Sequence, residues 1–200
     1  MTLLFKTEKE IDMLKDVFET STKPSFDHKF KIFRQCSALV PAATKVASIG
    51  CGKGRECRML SKVFSQADVV GVDINQEVVK SAAAHNHTPK VTFKQELAAE
   101  DTNFDAIFCM GVFCNDSLSK ADNATALPFS KFNEAVTELA SKIKVGGLLV
   151  ITKSNFRFCD ADAFASFEVA GSAPQNIAKF GKDNAKISGD YNDCIFKKVK

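Results

Sequence analysis

The fold of this chain is decided by the stretch Val46-Ala-Ser-Ile-Gly-Cys-Gly-Lys-Gly54 and by a later one, Val69-Val-Gly-Val-Asp-Ile-Asn75. The first predicts a buried strand that runs into a glycine-rich turn and then a helix. The second predicts another buried strand, which ends at a carboxylate. In open α/β sheets such a turn brings backbone N–H groups and a helix N-terminus up to a ligand, while the acid accepts hydrogen bonds from ribose hydroxyls. The pair therefore predicts a site for a cofactor that carries a nucleoside.

The spacing of the glycines indicates which cofactor the turn favours. The dinucleotide-binding fingerprint is G-x-G-x-x-G, in which the third glycine lets helix and strand pack closely. Here the order is Gly50-x-Gly52-x-Gly54, and the following helix has no glycine at the next positions. An ordinary tight turn between strand and helix is the alternative for such a loop taken alone. An acid at the tip of the next strand, Asp73, argues against that alternative.

Two later segments follow in a recognisable order, Phe104-Asp-Ala-Ile-Phe-Cys-Met-Gly-Val-Phe113 and Ile143-Lys-Val-Gly-Gly-Leu-Leu-Val-Ile151. With them, the chain resembles the class I S-adenosylmethionine-dependent methyltransferases over about residues 45–155. The resemblance implies a Rossmann-like α/β fold: a mostly parallel seven-stranded sheet with helices on both faces and an antiparallel C-terminal edge strand. It also implies S-adenosyl-L-methionine as the cofactor and S-adenosyl-L-homocysteine as the product.

The hydrophobic pattern predicts one domain over residues 1–200, with N-terminal helices (1–43) over the site and a Rossmann-like core (44–200). A capping box at Thr7–Glu10 starts a first helix, which Pro24 ends, and a second helix follows Asp27 and stops before Pro41. We expect the core strands at 45–49, 68–72, 90–94, 104–110 and 147–153, and core helices at 54–64, 75–84 and 130–142. A short helix follows Asp160, and strands near 176–180 and 192–199 form an antiparallel edge.

The resemblance also implies a set of cofactor-binding residues. Asp73 would bind the ribose, although it is also placed to cap the helix that starts at Asn75. Ile74 would pack on the adenine, and Glu96 would contact the adenine amino group. The full set is Ser48, Gly50, Cys51, Gly52, Gly54, Glu56, Asp73, Ile74, Glu96, Met110, Gly111 and Phe113.

One position departs from the family pattern. The family usually has an acid two residues before the first glycine, where it helps to anchor the methionine ammonium, and here Ser48 stands there. A serine there, followed by Gly54-Arg-Glu56, is similar to the branch that methylates glutamates of chemotaxis receptors, in which a glutamate near the helix start assists cofactor binding. The chain also has a general likeness to small bacterial methyltransferase-like proteins.

Substrate residues are expected on the loops at the carboxyl end of the sheet. His28 is a candidate general base and Arg157 a candidate partner for an anionic substrate group, although a structural histidine and a surface arginine are the plainer alternatives. The segment after the fourth strand is not the Asn-Pro-Pro-Tyr type of enzymes that methylate amino groups of nucleic acids. No general base is evident, and no metal-binding cluster is visible in the sequence.

Composition narrows the classes further. The chain has 200 residues, 45% of them hydrophobic, and a net charge of +3. That charge is spread rather than gathered into a basic stripe, which argues against nucleic acid as the partner. The seven cysteines include no C-x-x-C pair, and no apolar run reaches the length of a membrane span. We therefore expect a cytoplasmic protein without disulfides, and the sequence does not predict its oligomeric state.

These observations predict an enzyme (EC 2.1.1.-) that transfers a methyl group by direct displacement to a small-molecule or protein acceptor. Two alternatives stay open. A non-catalytic binding module of the same fold is favoured by Ser48 and by the missing base. A nicotinamide-dependent oxidoreductase would have the same kind of α/β fold and glycine-rich turn, although the glycine spacing disfavours it.

Overall fold

A computed structural model describes residues 23–114 and 128–200 of the chain. The predicted capping box at Thr7–Glu10 and its helix lie outside these residues. The described helices are α1 (Lys23–Leu39), α2 (Arg55–Val63), α3 (Gln76–Ala84) and α4 (Phe129–Lys142). The strands are β1 (Lys45–Ile49), β2 (Asp68–Val72), β3 (Val91–Lys94), β4 (Phe104–Met110), β5 (Ile143–Thr152), β6 (Phe167–Ser172), β7 (Lys179–Phe180), β8 (Lys186–Ile187) and β9 (Asp193–Lys198). Short 3₁₀ helices span Phe158–Asp160 and Asp162–Ser166.

Seven strands form the main sheet in the order β3-β2-β1-β4-β5-β9-β6. Strands β1 to β5 are parallel, and β9 runs antiparallel to both of its neighbours, β5 and β6. The chain leaves β1 in one direction to form β2 and β3, and then returns to the other side of β1 to form β4. The point where an open sheet reverses its strand order is where ligands bind, and here it lies between the carboxyl ends of β1 and β4.

Helices cover both faces of this sheet, as the sequence predicts. Successive side chains of β4 alternate between the faces, so that Phe108 packs in one core and Ile107 in the other. Phe33 of α1 stands edge-on to Phe108, with ring centroids 5.3 Å apart. On the opposite face Phe132 of α4 lies against Phe156, with centroids 5.5 Å apart. Both faces of β4 are therefore dry, which explains why its sequence is almost continuously apolar.

The described part of α1 differs from the prediction. It spans Lys23–Leu39 and so already includes the residues before Asp27, after which the helix was expected to start. Pro24 was expected to end a helix and instead lies within one.

The C-terminal strands also correct the prediction. The antiparallel partner of β9 at the sheet edge is β6, a stretch for which the sequence predicts no strand. The strand expected near 176–180 is only the two residues of β7, which pair with β8 in a separate small sheet. The β6 pairing contains register shifts around Gly171, and such bulges break the alternation that marks a strand in sequence. β5 likewise starts at Ile143, four residues before the prediction, because Gly146 with φ +83° interrupts its apolar run.

None of the described helices is long and apolar enough to cross a membrane.

Candidate functional site

The glycine-rich turn between β1 and α2 is built on a left-handed backbone. Gly50, Gly52 and Gly54 have φ of +65°, +51° and +75°, values that side-chain-bearing residues rarely adopt. A Cβ at Gly54 would lie 2.5 Å from Phe93 Cζ, and one at Gly50 would lie 2.8 Å from Val112 Cγ2. A Cβ at Gly52 would meet nothing within 4 Å. Two of the glycines are therefore required by packing, whereas the half-buried Gly52 has open space where a Cβ would lie.

The turn is tied directly to the acid at the end of β2. The amide of Gly52 donates to Asp73 Oδ2 over 2.9 Å, and the amide of Cys51 donates to the carbonyl of Val72 over 2.9 Å. The second carboxylate oxygen, Asp73 Oδ1, accepts from the amide of Asn75 at 3.0 Å. The carboxylate is thus fixed between the glycine turn and the start of α3.

The cap of α3 is Asn75 and not Asp73. Asn75 Oδ1 accepts from the amides of Glu77 and Val78, at 3.0 and 3.3 Å. Because this side chain satisfies the first donors of the helix, Asp73 is not needed for that role. Its carboxylate keeps free lone pairs, since each oxygen takes a single backbone hydrogen bond.

Ser48 lies on β1 just before the turn and is fully buried. Its Oγ has no hydrogen-bond partner of normal geometry among the described residues, although it lies close enough to the Cys57 thiol to lower the pKa of that group slightly. A buried hydroxyl without a partner costs about 1–3 kcal/mol. The orphaned Oγ therefore marks a place where a polar partner is missing.

Two cysteine thiols lie together beneath the turn. Cys51 is buried. A hydrogen bond between the Cys51 and Cys57 sulfurs, together with burial, raises the pKa of Cys57 well above the ordinary thiol value. Cys57 also limits the space at β2, because a Cβ at Gly71 would lie 2.8 Å from its Sγ. These sulfurs fill the space between α2 and the sheet.

Three predicted cofactor-binding residues near Asp73 and α2, Ile74, Glu56 and Glu96, differ in their exposure and in their contacts. Ile74 is 88% exposed, an unusual position for a large apolar side chain, and lies beside the Asp73 carboxylate. Glu56 in the first turn of α2 forms an ion pair with Lys29 of α1. This pair joins α1 to the helix that starts at the glycine turn. Glu96, two residues beyond β3, is exposed.

At the end of β4, backbone groups make the hydrogen bonds that join this segment to the end of β5 and the loop after it. Gly111 has φ +81°, and its amide donates to the carbonyl of Thr152 at the end of β5 over 2.9 Å. Phe113 is buried, with its ring edge-on to Phe132 at 5.2 Å, while Met110 is partly exposed. The Phe113 carbonyl accepts from the amide of Asn155 at 2.8 Å, which joins the loops after β4 and β5.

The two candidate substrate residues lie on different elements. His28 on α1 is partly buried, and this burial and the positive charges of Lys153, Lys29 and Lys31 lower its pKa. Arg157 is engaged within the chain. Its Nε and Nη2 donate to the two carboxylate oxygens of Asp160 at 2.7 and 2.8 Å, and its guanidinium lies 4.7 Å from the centre of the Tyr191 ring.

A histidine lies at the C-terminal end of α3. His85 Nδ1 lies 2.8 Å from the carbonyl of Ser81, one of the last carbonyls of the helix. The geometry is that of a side chain closing a helix C-terminus.

Sequence reasoning missed one group near this edge of the sheet. Lys179 is buried, and its Nζ donates to the carbonyl of Ser154 at 2.6 Å. It lies in the stretch near 176–180 for which the sequence predicts a strand, a pattern that does not show which way the lysine side chain faces. No sequence signal reports that this lysine folds inward, because the contact spans 25 residues.

Comparison with known proteins identifies the class. A family model described as a methyltransferase domain matches residues 46–147, which is half of the chain. The chain belongs to this family, the class I S-adenosylmethionine-dependent methyltransferases, as its sequence resemblance predicts. The cofactor of this family is S-adenosylmethionine.

Individual relatives match over part of their length. The chain is 29% identical over 124 residues to a ubiquinone biosynthesis O-methyltransferase of Xanthomonas axonopodis pv. citri, covering 58% of this chain and 46% of that protein. It is 32% identical over 130 residues to a trans-aconitate 2-methyltransferase of Azoarcus sp., covering 62% and 46%. The chain thus spans about half the length of these curated relatives.

Among solved structures, the ribosomal protein L11 methylase of Lactobacillus delbrueckii subsp. bulgaricus matches with a TM-score of 0.54 at 16% identity, covering 84% of this chain and 78% of that one. An amino pentose methyltransferase from Micromonospora echinaspora, solved with S-adenosylmethionine bound, matches with a TM-score of 0.47 at 19% identity, covering 75% and 57%. The L11 methylase agrees with the Rossmann-like fold described above.

Proposed function

We propose that this chain transfers the methyl group of S-adenosylmethionine to an acceptor, with the cofactor held over the turn of Gly50, Gly52 and Gly54. The observation that carries the proposal is the hydrogen bond from the Gly52 amide to Asp73 Oδ2, 2.9 Å long. It fixes an acid and a glycine-only backbone side by side at the switch point of the sheet.

The residues of the turn fit such a cofactor. A Cβ at Gly52 would point into open space, so that a ligand can approach the backbone closely there. The helix α2 begins one residue after Gly54, and its N-terminal amides carry partial positive charge toward the same side. The turn would support the sugar and the methionine part of the cofactor.

Asp73 would bind the ribose. Its two oxygens each accept one backbone amide, from Gly52 and from Asn75, which fixes the direction of the carboxylate. A carboxylate offers about four lone-pair sites, so that two remain for the ribose hydroxyls. Ile74 would supply an apolar surface for the adenine, and Glu96 would accept from its amino group.

Ser48 would meet the methionine end. Its orphaned Oγ is suited to a polar partner, and the cofactor ammonium supplies one. A neutral hydroxyl attracts an ammonium less than a carboxylate does, and we therefore expect weaker cofactor binding than in relatives that carry an acid there. Cys51, Met110, Gly111 and Phe113 would complete this end, and Glu56 would act through its ion pair with Lys29.

The cofactor supplies an electrophilic methyl group on a positively charged sulfur. The chain would contribute proximity, orientation and exclusion of water at the ends of β1 and β4. His28 is the proposed proton acceptor for an acceptor group that needs one, because its lowered pKa keeps the imidazole neutral near pH 7. The acceptor would be a small molecule or a protein.

A non-catalytic binding module is the second candidate, and Ser48 is the observation that favours it. The two are separated by incubating the chain with S-adenosylmethionine and a bacterial extract divided into small-molecule and protein fractions, and measuring S-adenosylhomocysteine by mass spectrometry. We expect one fraction to increase its formation, and Asp73→Ala to abolish the increase. A chain that binds S-adenosylhomocysteine but forms none with either fraction is a binding module.

A further inference from the structure

A cavity lies beyond the carboxyl end of β5, away from the glycine turn. It encloses about 30 Å³ and is lined by Ser154, Phe156, Arg157, Lys179, Tyr191 and Phe196, among others. A volume of this size holds two or three water-sized groups. It therefore suits the headgroup of a ligand whose remainder extends out of the cavity mouth.

The unusual group in this cavity is Lys179. The residue is only 7% exposed, and its Nζ has one described partner, the Ser154 carbonyl at 2.6 Å. An ammonium carries three donors, and buried lysines are normally paired with a carboxylate. No carboxylate of the described residues lies within 4.0 Å of this nitrogen, so that two of its donors remain for a ligand.

The other charged groups around the cavity do not neutralise Lys179. Arg157 and Asp160 neutralise each other through their bidentate pair. Asp193 lines the cavity but is exposed, and solvent screens its charge. The thiols of Cys159 and Cys194 have raised pKa values because of burial, so that both are neutral near pH 7. Within the part of the chain that the structure describes, the buried end therefore carries one uncompensated positive charge.

The cavity opens on the same edge of the sheet as the proposed methyl-transfer site. β5 lies next to β4, with Ile151 level with Cys109, and neighbouring strands are about 4.8 Å apart. Ile151 lines the cavity, and Cys109 is followed directly by Met110 and Gly111. The hydrogen bond from the Asn155 amide to the Phe113 carbonyl holds the loops from these two strands together. A ligand anchored in the cavity is thus within reach of the end of β4.

We propose that this cavity binds the carboxylate of a small organic acid through Lys179, and that a hydroxyl oxygen or amine nitrogen elsewhere on this acid is the methyl acceptor. That atom forms the bond to the methyl carbon as the methyl–sulfur bond of S-adenosylmethionine breaks, S-adenosylhomocysteine leaves with the electron pair of that bond, and the proton of the acceptor passes to His28, the proton acceptor proposed above. This inference rests on the proposed function. A carboxylate has three heavy atoms and one negative charge, which match the volume and the single free cation. A phosphate is larger and carries more negative charge than the one cation of Lys179 balances. The partly exposed ring of Tyr191 would pack on the apolar part of the acid as it leaves the cavity.

The lowered pKa of Lys179 agrees with a buried amine that lacks a carboxylate partner among the described residues. Burial lowers the pKa of this lysine to about 8, and the charge of Arg157 adds to the effect. The amine is still mostly protonated at pH 7. A bound carboxylate would raise its pKa again, and binding of the acid would weaken as the pH rises above 8.

The test uses phenylacetate as the probe and phenylacetamide, its neutral analogue, as the matched ligand control. Each is titrated into ¹⁵N-labelled protein at pH 7, and the amide shifts of Ser154, Lys179 and Tyr191 are followed by NMR. We expect phenylacetate to shift these amides and to bind at least tenfold more tightly than phenylacetamide. Lys179→Met should reduce phenylacetate affinity at least tenfold, whereas Lys182→Met, at an exposed lysine three residues away, should leave it unchanged.

Each outcome bears on the proposal. Absence of shifts at these amides up to millimolar phenylacetate overturns it, and so does equal affinity for the acid and the amide. The two ligands keep the test decisive if Lys179→Met fails to fold. A parallel titration with S-adenosylhomocysteine separates the two claims. Phenylacetate binding without S-adenosylhomocysteine binding would leave the carboxylate site standing and remove the methyltransferase function.

Discussion

The Gly52 amide and the Asp73 carboxylate are joined by a hydrogen bond of 2.9 Å between residues 21 positions apart. This contact links the turn after β1 to the tip of β2. It removes one donor that would otherwise be left unpaired at the turn and holds the carboxylate beside the glycine backbone. The Asp73 carboxylate is therefore oriented before any ligand binds, which reduces the conformational entropy that is lost on binding.

The two buried serines predict opposite responses to truncation. Ser48 Oγ has no described partner, whereas Ser154 Oγ donates to the Phe156 carbonyl at 2.7 Å and accepts from the Phe156 amide at 3.1 Å. We expect Ser48→Ala to leave the free energy of unfolding unchanged or raised by up to about 1 kcal/mol, and Ser154→Ala to lower it by about 1–3 kcal/mol. Urea unfolding measures both.

Ser48→Ala should also weaken binding of S-adenosylhomocysteine, because the proposed partner of its Oγ is the cofactor ammonium. A Ser48→Ala variant with lower stability and unchanged affinity would show that the hydroxyl has a structural partner and no role at the site.

Substitution of two glycines distinguishes the cost of backbone strain from the cost of a steric clash. Gly54 and Gly146 have similar φ, +75° and +83°, but a Cβ at Gly54 would lie 2.5 Å from Phe93 whereas one at Gly146 would meet nothing within 4 Å. We expect Gly146→Ala to lower the free energy of unfolding by about 1 kcal/mol from strain alone, and Gly54→Ala by about 2–4 kcal/mol. Equal losses in thermal or urea unfolding would mean that the Phe93 ring moves aside at little cost.

Asp105 predicts a loss of stability in acid. Burial alone would raise its pKa, but the ion pair with Lys144 and the amides of Thr44 and Lys45 lower it below the ordinary value. For a carboxyl with a lowered folded pKa, the stabilisation is present above the unfolded pKa of about 4 and is lost as the pH falls through the folded value.

The matched variants for this prediction are Asp105→Asn and Glu134→Gln, the second at an exposed pair with Lys131. We expect Asp105→Asn to lower the free energy of unfolding by about 2–4 kcal/mol at pH 7 and to flatten its decline between pH 5 and pH 3. Glu134→Gln should leave the curve close to that of the wild type. The prediction is wrong if Asp105→Asn retains the full acid dependence.

Lys179 predicts a second rise of stability with pH, at alkaline instead of acid pH. Its pKa is about 8 in the folded protein because the amine is buried, against about 10.4 in the unfolded chain. The unfolded state therefore binds more protons between these values, and the charged lysine destabilises the fold below pH 8.

This destabilisation disappears as Lys179 loses its proton, between pH 8 and about pH 10. We expect Lys179→Met to be more stable than the wild type by on the order of 2 kcal/mol at pH 7, after allowing for the hydrogen bond lost at Ser154. The difference should shrink by pH 10, as measured by urea unfolding at both values. A difference that stays constant with pH would show that Lys179 is not buried as a charged amine.

The sequence predicted the parts of this molecule that depend on local pattern. β1, β2 and β4 have the predicted bounds, because each is a run of five to seven mostly apolar residues between turn signals, a pattern typical of a buried strand. The positions of the three turn glycines and Asp73 followed from the same pattern. The hydrogen bond between Gly52 and Asp73 required only that two parallel strands be neighbours.

What the sequence did not predict depends on long-range contacts. β6 pairs with β9 through an irregular register, and Lys179 folds onto Ser154, 25 residues away. Arg157 was expected to face a substrate, but the intrahelical spacing of three residues to Asp160 gives it a bidentate partner within the chain. That spacing is readable in the sequence and could have been weighed.

The most direct test of the central claim is calorimetric titration of S-adenosylhomocysteine into the wild type, Asp73→Ala and Asp68→Ala. Asp68 is the exposed acid at the opposite end of the same strand, and it serves as the matched control. We predict micromolar binding by the wild type, about −8 kcal/mol, a loss of at least tenfold in Asp73→Ala, and no change in Asp68→Ala. Absence of binding by a folded wild type, or equal affinity in all three proteins, would contradict the account.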